Sequence, residues 1–219
     1  MQVLHINFSS GEKIYADSGK LLSKSEDIKM TPRLVGGIIG AVERKFTGAS
    51  GMLTEFETNA AGNLSLSGVL PGKVKEIELG EGEAFVAEHF AFLAAEESVK
   101  FSMQTVGMGA AFLGGSGLLL QKFVGPGTVF IHVVGDIIEY DLDGTKSLEV
   151  DPGHLAGFDA PLKYNVKFVD NIRTAMFGGV GLFLAKFTGS GRVILHSVSR
   201  YKLSAELYLE GQQAMKNKK

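Results

Sequence analysis

The sequence predicts an all-β fold: three tandem, β-sandwich-like repeats with short helices and a C-terminal helix. Three observations carry that prediction. First, the stretch Gly178-Gly179-Val180-Gly181-Leu182-Phe183-Leu184-Ala185-Lys186-Phe187-Thr188-Gly189-Ser190-Gly191 repeats residues 114–127, at an offset of 181 − 117 = 64 with no gap. Second, a more divergent copy starts at Gly48-Ala49-Ser50-Gly51-Met52-Leu53 and continues in Gly62-Asn63-Leu64-Ser65-Leu66. Third, another landmark keeps step with these copies. It reads Asp17-Ser18-Gly19-Lys20-Leu21, His89-Phe90-Ala91-Phe92-Leu93 and Asp151-Pro152-Gly153-His154-Leu155. Nine residues after positions 19, 90 and 153 comes an apolar-Lys-apolar triplet each time. Repeated units of this kind bury a continuous core only by stacking on one another. The copies divide the chain into units at 1–70, 71–134 and 135–200, with 201–219 as helix and tail, all in one compact domain.

The elements follow in order. Val3–Phe8 alternates as an opening strand, and Ser9-Ser10-Gly11 turns it into Lys13–Ala16. Residues 32–45 have helical spacing, with Pro32 suited to a first turn and Arg44 and Lys45 to a last one. They predict a short packed helix or loop, with an apolar loop that touches a membrane or partner as the other reading. Pro71-Gly72 separates the first two units, and Val74–Leu79 and Ile137–Leu142 are equivalent strands. Leu162–Phe168 alternates, with Lys and Asn on its solvent face. Short helical turns are predicted near 106–111 and 172–176. Leu182–Phe187, bounded by glycines, reads as a strand buried on both faces, and Gly189-Ser190-Gly191 reverses the chain into Val193–Val198. Gly51, Gly115, Gly117, Gly153, Gly179 and Gly181 are the turn glycines, placed where backbone freedom is needed. Ser204 is the predicted cap of a C-terminal helix that runs to Met215.

Composition narrows the function classes. With 219 residues, 45% of them apolar, the chain is globular, and its net charge of −2 argues against a polyanion binder in bulk. Nucleic acid is therefore an unfavoured partner. No cysteine is present, which excludes disulfides and thiolate zinc sites and favours a reducing, cytoplasmic setting. No apolar run reaches the roughly 20 residues of a spanning helix, and the N-terminus has no secretory or presequence pattern. Peripheral membrane contact stays open.

The candidate chemistry is sparse. His132 and His196 hold equivalent positions at the ends of apolar strands, and imidazole can ligate metal. No third ligand stands at a matching spacing, so repeat equivalence explains the pair and the prediction is structural histidines. Lys29, Lys100 and Lys163 recur once per unit and could form a basic belt for phosphates, but a solvated β face accounts for them as well. The Gly-x-Gly stretches lack the Gly-Lys-Ser/Thr of a phosphate loop, and no nucleophile elbow is present. The sequence predicts no catalytic residue, no metal and no cofactor, hence no enzyme.

The Gly-Gly-x-Gly-Leu stretches at 114–127 and 178–191, together with Val150-Asp151-Pro152-Gly153-His154-Leu155-Ala156-Gly157-Phe158-Asp159, resemble the mitochondrial-biogenesis, altered-inheritance-of-mitochondria family. The resemblance covers nearly all of residues 1–200. It departs at Val180 and at Phe90, which stands where the family usually has glycine. It implies a fold like that of the tryptophan RNA-binding attenuation protein, three units per chain, and trimers whose nine units form a ring. It supplies no catalytic residue and no ligand. The leading expectation is a non-enzymatic oligomeric scaffold; the alternative is a ring that binds a small ligand or nucleic acid in clefts between units.

Overall fold

The computed structural model describes residues 1–34, 52–105, 119–168 and 183–216, and among these residues it has eighteen strands and one long helix. Six strands recur three times. Unit one has β1 (Leu4–Phe8), β2 (Lys13–Asp17), β3 (Leu21–Lys24), β4 (Lys29–Leu34), β5 (Met52–Glu57) and β6 (Gly62–Leu66). Unit two has β7 (Gly72–Leu79), β8 (Ala84–Glu88), β9 (Phe92–Glu96), β10 (Lys100–Thr105), β11 (Leu119–Val124) and β12 (Gly127–Val134). Unit three has β13 (Ile137–Asp143), β14 (Leu148–Val150), β15 (Leu155–Asp159), β16 (Lys163–Phe168), β17 (Phe183–Thr188) and β18 (Ser190–His196), and α1 (Arg200–Lys216) follows.

The strands pair by one rule. In each unit the first, sixth and third strands form one arm, as in β1-β6-β3, and the fourth, fifth and second form the other, as in β4-β5-β2. All pairings are antiparallel. Units join where the second strand of one pairs with the third strand of the next: β2 with β9, and β8 with β15. Two six-stranded sheets result, β4-β5-β2-β9-β12-β7 and β10-β11-β8-β15-β18-β13, flanked by the three-stranded β1-β6-β3 and β14-β17-β16.

Three cores lie between consecutive sheets. Phe8, Phe56, Leu64 and Leu93 belong to the first, Phe92, Phe123, Ile131 and Ile194 to the second, and Phe158, Phe187, Val193 and Leu195 to the third. Each six-stranded sheet therefore has a core on both faces. That is why β8 and β9, Ala84-Phe85-Val86-Ala87 and Phe92-Leu93-Ala94-Ala95, are nearly continuous apolar runs. In the middle core Phe92 and Phe123 lie 4.7 Å apart, and the Tyr15 hydroxyl donates to Val99 O at 2.9 Å. The tyrosine thus brings its large apolar ring inside and still satisfies its polar end.

The structure corrects several sequence expectations. Pro32 does not open a helix, because Pro32–Leu34 end β4, the outermost strand of its sheet. An edge strand tolerates proline because one side of its backbone needs no partner. The rest of 32–45 lies outside the described residues, as do Gly51, Gly115, Gly117, Gly179, Gly181 and the helical turns predicted near 106–111 and 172–176. β17 is not buried on both faces: Ala185 and Phe187 are buried, while Phe183, Leu184 and Lys186 are only half-buried. It belongs to a terminal sheet with one core beside it, so it alternates. β18 ends at His196, and Val198 is exposed outside it. Helix α1 starts before Ser204; Leu203 N donates to Ser199 O at 3.0 Å, while the Ser204 hydroxyl donates to Tyr201 O within the helix.

The expected reversal into an antiparallel pair is not formed, because β17 and β18 lie in different sheets. Gly189 and Gly191 instead carry the passage from one sheet to the other with φ of +106° and +146°, angles that other residues adopt only under strain. A Cβ on Gly191 would also press on Asp159 and Leu162, at 3.1 and 3.2 Å. Gly191→Val is expected to destabilise the protein by about 1–3 kcal/mol, as substitutions at special backbone angles do. Urea unfolding at fixed protein concentration measures it; an unchanged midpoint would contradict the turn assignment.

Candidate functional site

Lys29, Lys100 and Lys163 occupy one equivalent position, the first residue of β4, β10 and β16. All three are exposed, at the outer edges of three different sheets. Lys29 Nζ donates to Glu57 Oε1 at 3.2 Å, so this lysine already has a carboxylate partner.

His132 and His196 are buried; His132 lies two residues before the end of β12, and His196 at the end of β18. His196 Nδ1 accepts the Val134 N–H at 2.9 Å, which places its proton on Nε2. Unit three thereby satisfies a backbone donor at the end of unit two. His196 O in turn accepts from His154 Nδ1 at 2.9 Å. The His132 ring lies against Gly68, at the end of unit one, where any Cβ would overlap it. Both histidines thus clamp their unit to the one before. Burial is the largest cause that lowers the pKa of each to about 4, aided by the Lys20 charge for His132 and by the neighbouring His132 for His196. A ring nitrogen that already accepts a backbone hydrogen bond has no lone pair left for a metal. Among the described residues no group of three His, Asp or Glu side chains is arranged to hold a metal ion.

Gly153 sits in the short 3-10 turn Pro152–His154 at an ordinary φ. The turn instead needs it for space, since a Cβ there would come within 2.9 Å of Ser199 Oγ. At the equivalent position Phe90 has no positive φ either, and its ring carries the Arg200 guanidinium 3.3 Å above its centre.

That contact leads to a cavity sequence reasoning missed. It holds about 470 Å3 between the first two turns of α1 and the junction of units one and two. Lys20, Phe90, His132, Arg200, Leu203 and Leu207 are among its walls. Lys20 is only 6% exposed, yet its contacts are long: 3.7 Å to Asp17 Oδ2 and 3.5 Å to Phe90 O. Burial lowers the Lys20 pKa against the attraction of Asp17, and burial likewise raises that of Asp17. The available signal was a difference between copies: Lys20 stands where the second and third landmarks carry Ala91 and His154.

The second feature is a pair of half-made junctions. Strands of the second and third kind are paired on both sides where units meet, but β14 and β3 have one neighbour each. Leu21 and Leu22 of β3 are 38% and 58% exposed, whereas their counterparts Phe92, Leu93, Leu155 and Ala156 are at most 1% exposed.

The buried histidines make stability depend on pH. Their pKa is near 4 in the folded chain and about 6.5 when unfolded, so the unfolded chain binds more protons between those values. Stability is expected to be full above pH 6.5 and to fall toward pH 4, by at most about 3 kcal/mol per histidine. Asp17, whose raised pKa acts in the opposite sense, is common to wild type and variant. His196→Gln, whose amide oxygen can still accept from Val134, should flatten the slope when urea unfolding is compared at pH 7.5 and 5; an identical slope would rule out the assigned proton.

Comparison with known proteins adds a relationship. Residues 1–198 match the family model described as mitochondrial biogenesis AIM24. An uncharacterised protein of Streptococcus pyogenes serotype M6 is 25% identical over 213 residues, which cover 94% of this chain and 85% of that protein. A crystal structure of a Streptococcus pyogenes protein is similar with a TM-score of 0.79 at 24% identity, over 95% of this chain and 94% of the other. At that identity the likeness speaks for the fold.

Proposed function

The chain belongs to the mitochondrial biogenesis AIM24 family, and we propose that it works as a non-enzymatic scaffold assembled head to tail, β14 of one copy pairing with β3 of the next. The half-made junctions carry this reading. First and fourth strands are sheet edges in all three units, so they are the ordinary edges of the fold. β3 and β14 differ: their equivalents in the middle of the chain are always covered. An unpaired strand with exposed leucines is a template for another strand.

The internal junctions supply the register. Tyr15 faces Ala95, and Val86 faces Phe158. The repeat equivalents of these residues are Glu149 in β14 and Lys24 in β3. The same register therefore sets a carboxylate opposite an ammonium, a favourable cross-strand pair. A heterologous contact either closes into a ring or propagates as a filament. The number three comes from the family resemblance; a closed trimer of three 23.4 kDa chains weighs about 70 kDa. The cysteine-free sequence suits work in a reducing, cytoplasmic setting.

Light scattering on dilute protein tests the assembly. Wild type should give about 70 kDa. Lys24→Glu should shift mass toward the single chain, and Lys24→Glu with Glu149→Lys should restore the larger species. A monodisperse wild type of about 23 kDa would refute the pairing, as would a Lys24→Glu variant of unchanged mass.

A further inference from the structure

We propose that the cavity under α1 binds a small amphipathic carboxylate, an aliphatic chain ended by one anionic head, with Lys20 and Arg200 holding the head. The inference does not rest on the scaffold reading, and its test reads binding rather than mass.

Charge points to an anion. Among the described residues that line the cavity, Lys20 and Arg200 are the only charged ones. None of the described lining residues is a carboxylate; Asp17 stands at 3.7 Å from the Lys20 ammonium and is not among them. A buried ammonium with only long contacts is costly, and a carboxylate from the cavity would relieve that cost. Arg200 is held in place by the Phe90 ring beneath it. Its planar guanidinium can meet a carboxylate with two parallel hydrogen bonds.

The remaining walls point to the aliphatic part. Val69, Leu70, Val134, Leu203 and Leu207 line the cavity, and Leu207 remains 60% exposed. An alkyl chain laid along these side chains would remove that surface from water. The volume falls within the roughly 300–1,000 Å3 of small-molecule sites. His132, kept neutral by burial and by the charge of Lys20, adds a polar wall without a competing charge. The feature belongs to this junction and not to the fold, since Ala91 replaces Lys20 at the next one.

The test is titration of the full chain with decanoate by calorimetry, with the carbon-13 signal of carboxyl-labelled decanoate as a second readout. Saturable binding of one decanoate per chain is expected. Decanol and butyrate should each bind at least about tenfold more weakly, because each lacks one half of the recognition. Lys20→Met and Arg200→Gln should each weaken decanoate by about tenfold or more, at unchanged helix and strand content. Arg200 lies at the rim, so its variant carries the test if the Lys20 variant does not fold. Equal binding of decanol, equal binding of butyrate, or undiminished binding by Arg200→Gln would overturn the proposal. Decyl phosphate binding well above decanoate would overturn the carboxylate head and assign the site to phosphates.

Discussion

The pairing of one unit's second strand with the next unit's third strand is the constraint on which the structure depends. Each three-stranded arm would be half of a sheet by itself. The pairs Tyr15–Ala95 and Val86–Phe158 fuse the arms of different units into six-stranded sheets. Because those sheets are shared, the cores are shared too: the middle core takes Tyr15 from unit one and Ile194 from unit three. No unit can keep its full core without its neighbours, which is the physical reason for tandem repetition.

The same dependence explains the repeated histidine. At the end of β12 the pairing with β7 runs on to Val134, but the pairing with β9 stops at Ile131, so one side of the backbone there has no strand beside it. A buried amide there is costly unless something accepts from it. His196 reaches back from the following unit and accepts from Val134, while His132 packs its ring on Gly68 at the earlier junction. Burial in an apolar seam then holds both rings neutral. A histidine that recurs at one position in units two and three therefore reads as a clamp between units before it reads as a ligand.

The repeat was legible in the sequence because glycine and the alternation of apolar residues are local signals. Gly189-Ser190-Gly191 marks a break between strands wherever it stands, and Leu162–Phe168 shows its outer face by alternation alone. What stayed hidden depends on the surroundings of a strand. Nothing in Leu182–Phe187 says that its sheet has one core rather than two, so its burial was overestimated. Pro32 carries the same φ in a helix start as in an edge strand, and only the sheet order separates the two readings. The cavity was least legible. Lys20 and Arg200 are 180 residues apart in sequence, and only the docking of α1 brings the second toward the first.

That docking shows how a repeated fold acquires a distinct site. Three copies of one unit build equivalent junctions, and a feature encoded in the repeat would appear at each of them. A site that occurs once must come from positions where the copies differ or from the segment outside them. Both sources meet here. Lys20 departs from Ala91 and His154 at one landmark position, Phe90 departs from Gly19 and Gly153 at another, and α1 has no counterpart among the described residues of the first two units. Phe90 takes up its extra volume by stacking under Arg200, which ties the start of α1 to the first junction as well. At the second junction the turn at Gly153 packs against Ser199, where the chain enters that helix. The C-terminal segment thus closes one junction against the turn at its own entry and leaves the other open as a cavity with two cations. Symmetry supplies the frame, and the residues that break it set the chemistry.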